Sequence, residues 1–334
     1  MSLCLEAFSV NRVRLAVVGL GRISQAHLVS VAALSEEAEL AAVVSRREEV
    51  ARATAERYGA KRFYLDYQEA LADPEIDGVV ICTPNRVHPQ DSISAAEAGK
   101  HVLVEKIMAN TVAEADAMIA SADRSGVLLM VAQCRRFFDA VMNARESMRE
   151  IGKPINIIHY LGVMFADAPT AWWKGEDMGN LVLDMNGPHV IDTILWLMGE
   201  KPVRVYAETY RNNSQWNGCD EATVQLSFES GAMATGHISF NTKPEVNERY
   251  IVGSSGGMRI SNDRDLWVNG DLRVKEEPSD YLQGGSNFRR QMMEFVRAIR
   301  EGHEPIASGR QVREVVRVLE AAHASAANHQ AVNL

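Results

Sequence analysis

A chain of 334 residues exceeds what one ordinary core encloses and suits two domains, and its 46% hydrophobic and 24% charged residues are those of a soluble globular protein. With 44 acidic against 35 basic residues the net charge is -9, which excludes a broad electrostatic attraction to nucleic acid or to an anionic membrane. Cys4, Cys82, Cys134 and Cys219 form no CxxC pair and read as the reduced thiols of a cytoplasmic protein, with neither a disulfide framework nor a zinc site.

The opening MSLCLEAFSVNR carries an acid and no long apolar run, so it reads as a loose extension rather than a signal peptide or anchor. From Val13 strand-like runs then alternate with amphipathic stretches: VRLAVVG, a helix to about Ser35, ELAAVVS, a helix to about Tyr58, then RFYLD, GVVIC, HVLVE and VLLMVAQ. Such alternation predicts a parallel, doubly wound sheet over residues 1–131. Beyond a helix near Phe137 to Glu150 the pattern changes. INIIHYLGV, VRVYAETY, ATVQLSF, AMATGHISF, RYIVGS and DLWVN follow with short turns, predicting an α+β domain over 132–334 around an open, mainly antiparallel sheet. Helices are expected at about Gly187 to Met198, Asn287 to Arg300 and Arg310 to Ala326.

Gly19-Leu20-Gly21-Arg22-Ile23-Ser24 directly follows the first strand and opens the first helix. Glycines there allow a tight turn and let the backbone approach a pyrophosphate seated on the helix N-terminus. Ser24 replaces the usual third glycine or alanine. At the end of the second strand, where an acid would bond the ribose hydroxyls of NAD, stand Ser45-Arg46-Arg47. A hydroxyl and two guanidinium groups suit a 2'-phosphate, so NADP is favoured, with NAD as the alternative. Solvated residues at a helix start are the bland reading of the two arginines.

Val79 to Cys82 is a short β-branched run closed by Pro84, as expected of a strand buried on both faces. Ligands of such sheets bind beyond the carboxyl ends of the strands. Thr83, Pro84, Asn85 and His88 leave one strand at that edge, and Glu105-Lys106 leave the next.

The Gly19-x-Gly21 turn, CTPNRVH, AGKHVLVEK and GPHVID together resemble the Gfo/Idh/MocA family, relatives of glucose-fructose oxidoreductase and inositol dehydrogenase. The resemblance implies a Rossmann domain followed by an open sheet domain, and hydride transfer between a nicotinamide and a sugar, polyol or cyclitol. It places Lys106 at the family's catalytic lysine, Glu105 beside the nicotinamide ribose, and Thr83, Pro84, Asn85 and His88 on the cofactor side. Two departures stand out. Ile107 follows Lys106 where the family has proline, a residue that can set an unusual backbone turn. Four residues before His189, where the family has Asp, stands Met185; Asp184 is one residue out, about 100° around a helix, with Asn186 as the nearest polar substitute.

For alcohol oxidation one group takes the hydroxyl proton as hydride leaves for the nicotinamide. Lys106 is the first candidate, His189 its partner, and Asp184 the acid that would orient His189 or bond substrate. Trp172, Trp173 and Lys174, in the loop before His189, would wall the sugar site with Asn186. Asp192 reads as structural, and His159, Tyr160 and His237 as ordinary sheet residues; the Asp184, His189 and His237 set matches no metal spacing. The expected protein is thus a cytoplasmic NAD(P)-dependent oxidoreductase, pairing as a homodimer or homotetramer through its second sheet by analogy with the family. The rival readings are a non-catalytic cofactor-binding regulator and an enzyme that retains and recycles its nicotinamide.

Overall fold

The computed structural model describes residues 12–165, 167, 174 and 180–334. The chain divides into two compact units. Of the described residues, the first combines those from 12 to 105, 118–132 and 280–308; the second holds 106–117, those between 133 and 279, and 309–334. This corrects the single boundary at residue 131. The helix expected near Asn287 belongs with the Rossmann unit, because its apolar face, with Phe288, Met292, Phe295 and Val296 buried, packs on the first helix and first strand of that unit.

In the first unit β1 (Val13–Val18), β2 (Ala38–Val44), β3 (Arg62–Tyr64), β4 (Gly78–Ile81), β5 (His101–Val104) and β6 (Leu129–Val131) form one sheet in the order β3-β2-β1-β4-β5-β6. Every pairing in it is parallel. Val17, Val43, Val79, Val80, Ile81, Val102 and Leu103 are wholly buried, which is why these strands read as continuous apolar runs instead of alternating ones. The strands connect through α1 (Ser24–Ala32), α2 (Glu48–Tyr58), α3 (Tyr67–Leu71), α4 (His88–Glu97) and α5 (Val112–Ser125).

The second unit adds α6 (Asp139–Ile151), then a nine-stranded sheet built from β7 (Pro154–Met164), β8 (Pro202–Tyr210), β9 (Glu221–Phe228), β10 (Met233–Ser239), β11 (Asn241–Gly253), β12 (Gly256–Ser261), β13 (Asp265–Val268), β14 (Asp271–Val274) and β15 (Val332–Asn333). Its order is β14-β13-β12-β11-β7-β10-β9-β8-β15, antiparallel throughout except that β10 runs parallel to β7. Between β7 and β8 lie α7 (Leu181–Met185) and α8 (Gly187–Met198); α9 (Ser286–Glu301) belongs to the first unit and α10 (Gly309–Asn328) to the second. The almost wholly apolar α8 is sandwiched between the sheet and α10. Among the described residues no helix is long and apolar enough to cross a membrane.

Candidate active site

Strand register brings the nucleotide-side residues of the first unit to one edge. Val18 pairs with Val44 and Ile81, and Ile81 with Val104, so the chain leaves β1, β2, β4 and β5 at one level. Gly19, Ser45, Thr83 and Glu105 therefore stand side by side at the carboxyl edge. Gly19 has φ +84°, and a Cβ there would lie 2.8 Å from Thr83 N, so only glycine fits the turn. A Cβ on Gly21 would instead meet open space. The first turn of α1 carries no acid and its cap, Ile23, makes no side-chain bond, which leaves backbone donors facing outward. Ser24 hydrogen-bonds back to Gly21 O at 2.6 Å.

Thr83 Oγ1 donates to Asp91 Oδ2 at 2.7 Å, and the imidazole Nε2 of buried His88 bonds Thr83 O at 2.8 Å. Asn85 Oδ1 accepts from Arg86 N, and Pro84 is exposed. Ser45 Oγ accepts from Arg47 N. Arg46 and Arg47 are both exposed, and among the described residues neither forms an ion pair. Glu105 is buried and bonds His27 Nε2 at 2.8 Å, a partner on α1 that the sequence did not single out. His27 packs edge-on against Phe288, Phe288 stacks with Tyr281, and the Arg22 guanidinium lies 5.7 Å over the Tyr281 ring. The segment that returns to this unit after residue 279 thus lines the glycine-rich turn. No local pattern signals that return.

In the second unit Lys106 Nζ donates to Met185 O at 2.9 Å, and the Lys106–Ile107 peptide is cis. His189 lies in the first turn of α8; its Nδ1 is buried without a hydrogen-bond partner among the described residues. Burial, then the positive charges of Arg135, Lys106 and Arg249, hold its pKa well below the ordinary imidazole value. Asp184 does not orient His189: its carboxylate pairs with His323 Nε2 on α10 at 2.9 Å, while Asn180 holds the other ring nitrogen. Asn186 caps the junction of α7 and α8 through its carbonyl, which accepts from His189 N and Val190 N. Lys174 pairs with exposed Asp167, and Trp172 and Trp173 lie outside the described residues.

Behind His189 lies a buried network that sequence reasoning passed over. Arg249 Nε donates to Thr193 Oγ1 at 3.4 Å, Thr193 bonds His159 Nδ1 at 3.3 Å, and His159 Nε2 bonds Asn247 Oδ1 at 3.2 Å. Asn247 Nδ2 donates to Asp263 Oδ2 at 2.8 Å. Since the Asn247 oxygen can only accept, His159 carries its hydrogen on Nε2. Its imidazole is held neutral by burial and by Arg249 and Arg135. Asp263 is shared by two guanidiniums, Arg135 and Arg249. Burial alone would raise its carboxyl pKa, but the two cations outweigh that and hold it below the usual carboxylate range. Asp192, by contrast, is spent on Arg136 in a two-bond pair of 2.9 and 2.6 Å. His237 bonds Thr223 and lies edge-on to Tyr160 on the sheet.

The open space at Gly21, the acid-free start of α1 and the exposed arginines after β2 fit a dinucleotide. Comparison with known proteins agrees. Residues 13–133 match the oxidoreductase family model with an NAD-binding Rossmann fold, and residues 142–259 match the GFO/IDH/MocA C-terminal domain. The chain is 30% identical over 318 residues to 4-carboxy-2-hydroxymuconate-6-semialdehyde dehydrogenase of Sphingobium sp., covering 92% of this chain and 96% of that one. To myo-inositol 2-dehydrogenase of Thermotoga maritima it is 28% identical, with 89% and 91% covered. The crystal structure of aldose-aldose oxidoreductase from Caulobacter crescentus, complexed with glycerol, superposes with a TM-score of 0.85 at 27% identity, over 97% of this chain and 100% of that one. The chain is therefore an oxidoreductase of the Gfo/Idh/MocA family.

Proposed function

We propose that this protein interconverts a hydroxyl and a carbonyl on a sugar, polyol or cyclitol, using NADP in preference to NAD, with Lys106 and His189 handling the proton. The observation that carries the reading is a lysine ammonium held by the carbonyl of Met185, four residues before His189, close enough for its charge to help lower the His189 pKa. A bound nicotinamide supplies the hydride acceptor or donor. In the oxidative direction the substrate O–H proton passes to neutral His189 or is relayed through the lysine as the carbon loses hydride and its C=O bond forms. Glu105, tied to His27, bonds the nicotinamide ribose; Gly19, Gly21, Arg22 and Ile23 hold the pyrophosphate; Thr83, Pro84, Asn85 and His88 line the nicotinamide side. Ser45, Arg46 and Arg47 take the 2'-phosphate. Lys174 and Asn186 contribute to the substrate side.

The test is a turnover screen of sugars, polyols and cyclitols with NADP and with NAD, alongside calorimetric titration with NADPH and NADH. Turnover with tighter NADPH binding supports the reading; tighter NADH binding refutes the cofactor preference alone. Copies are proposed to pair through the second sheet, where Ile158, Met233, Tyr250 and Val252 are 48%, 59%, 48% and 48% exposed on adjacent strands. Light scattering that returns a monomer at micromolar concentration would rule this out.

A further inference from the structure

Arg135 and Arg136 are neighbours in one turn, yet their charges are met differently. Arg136 has a carboxylate of its own in Asp192. Arg135 shares Asp263 with Arg249, so two guanidiniums meet one carboxylate in a buried region, leaving one positive charge unbalanced. Glu248, which also acts on Arg249, is engaged with Arg259 and Ser261. Among the described residues the buried Arg135 Nε and Arg249 Nη2 lack hydrogen-bond acceptors, as does the buried Nδ1 of His189. A buried guanidinium proton without an acceptor is costly, and an unbalanced buried charge more so. Arg249 is wholly buried, whereas the Arg135 side chain is 19% exposed, so Arg135 is the end of the cluster a ligand can reach.

We propose that the substrate carries a carboxylate, and that Arg135, with Arg249 behind it, receives that carboxylate beside His189. A neutral hydroxyl could accept a hydrogen bond there but would leave the charge unbalanced. A carboxylate does both, through the charge-assisted contact that a guanidinium favours. The substrate class narrows from sugars and polyols at large to their acids: hydroxy acids of the aldonate type, or the matching oxo acids. This rests on the oxidoreductase reading above, since it places the acid group of the molecule whose hydroxyl reacts.

The experiment is calorimetry on the protein–NADPH complex, a reduced pair that cannot turn over hydroxy compounds. The probes are D-gluconate against D-glucitol and L-lactate against 1,2-propanediol, each pair differing by one carboxylate. The acid of at least one pair is expected to bind about tenfold or more tightly than its neutral partner. Arg135→Gln is expected to erase that ratio and Arg135→Lys to keep part of it, with NADPH binding as the check that each variant is folded. Equal binding within both pairs, no binding of any probe, or an acid preference that survives in Arg135→Gln overturns the proposal while leaving the oxidoreductase reading intact. If only NADH binds, the same probes are read on the protein–NADH complex with the same outcomes; failure of both NADPH and NADH to bind overturns both.

Discussion

Lys106 Nζ reaches the main-chain carbonyl of Met185 at 2.9 Å, so the residue standing where the family would offer a carboxylate offers a carbonyl dipole instead. That carbonyl orients the ammonium, and the lysine charge helps to lower the His189 pKa. Lys106→Met should therefore lower kcat by about 10²- to 10⁴-fold, the usual size of a proton-transfer contribution, while NADPH still binds. Met185→Leu keeps the carbonyl and roughly the volume, and should keep the rate. Steady-state kinetics on both variants decide it; an active Lys106→Met would remove the lysine from the mechanism.

The two glycines of the first turn serve different ends. At Gly19 a side chain meets Thr83 N at 2.8 Å and must adopt φ +84°, so Gly19→Ala should destabilise the first unit by about 1–2 kcal/mol from backbone conformation alone, with the clash added. At Gly21 there is space, so Gly21→Val should leave the apo melting temperature unchanged and weaken NADPH. Calorimetric scans with cofactor titrations separate the two, and a Gly21→Val protein that binds NADPH normally would argue against this turn as the pyrophosphate seat.

The parallel sheet was legible because strands buried on both faces write themselves as unbroken apolar runs such as Val79 to Cys82. β12 and β14 were not: Gly256–Ser261 opens with two glycines and leaves only Met258 and Ile260 as a two-residue apolar alternation, and Asp271–Val274 is largely exposed, so each signal is too short to read alone and both strands depend on pairing with β11 and β13. The same limit hid the buried network behind His189. Arg249, Asp263 and His159 lie on distant segments and meet only in the folded unit, with Asp263 presented by a turn in which Asn262 and Asp263 both adopt positive φ. Asp184 could be identified as displaced by counting residues, but its partner His323 lies over a hundred positions away on α10, and no spacing rule reaches that far.

The proposed preference for NADP rests on two exposed side chains. Ser45 follows β2 directly, and Arg46 and Arg47 form no ion pair among the described residues, so both guanidiniums are available to a phosphate. Each charge-assisted bond is worth about 1.5–3 kcal/mol. Arg46→Asp removes one and adds a repulsive charge, and should weaken NADPH by about ten- to a hundredfold with little effect on NADH. Titration of the variant with both cofactors tests this; parallel losses for the two would show that Arg46 contacts something they share.

Stability should fall on mild acidification, and the sign follows from the buried histidines. His159 and His189 are held well below the ordinary value of 6.5, first by burial and then by neighbouring cations, and His101 on β5 shifts the same way through burial. In the native protein they stay neutral where the unfolded chain takes up protons, so their contribution is intact above pH 6.5 and is lost as the pH drops beneath it. Each such group removes about 1.4 kcal/mol per pH unit until its native pKa is reached, and His159 and His189, the two held furthest below the ordinary value, should contribute most of the fall. Urea unfolding midpoints across that range read the slope directly. His189→Asn should make it shallower by one proton, and a midpoint independent of pH from 7.5 to 5 would mean that these imidazoles ionise freely in the folded protein.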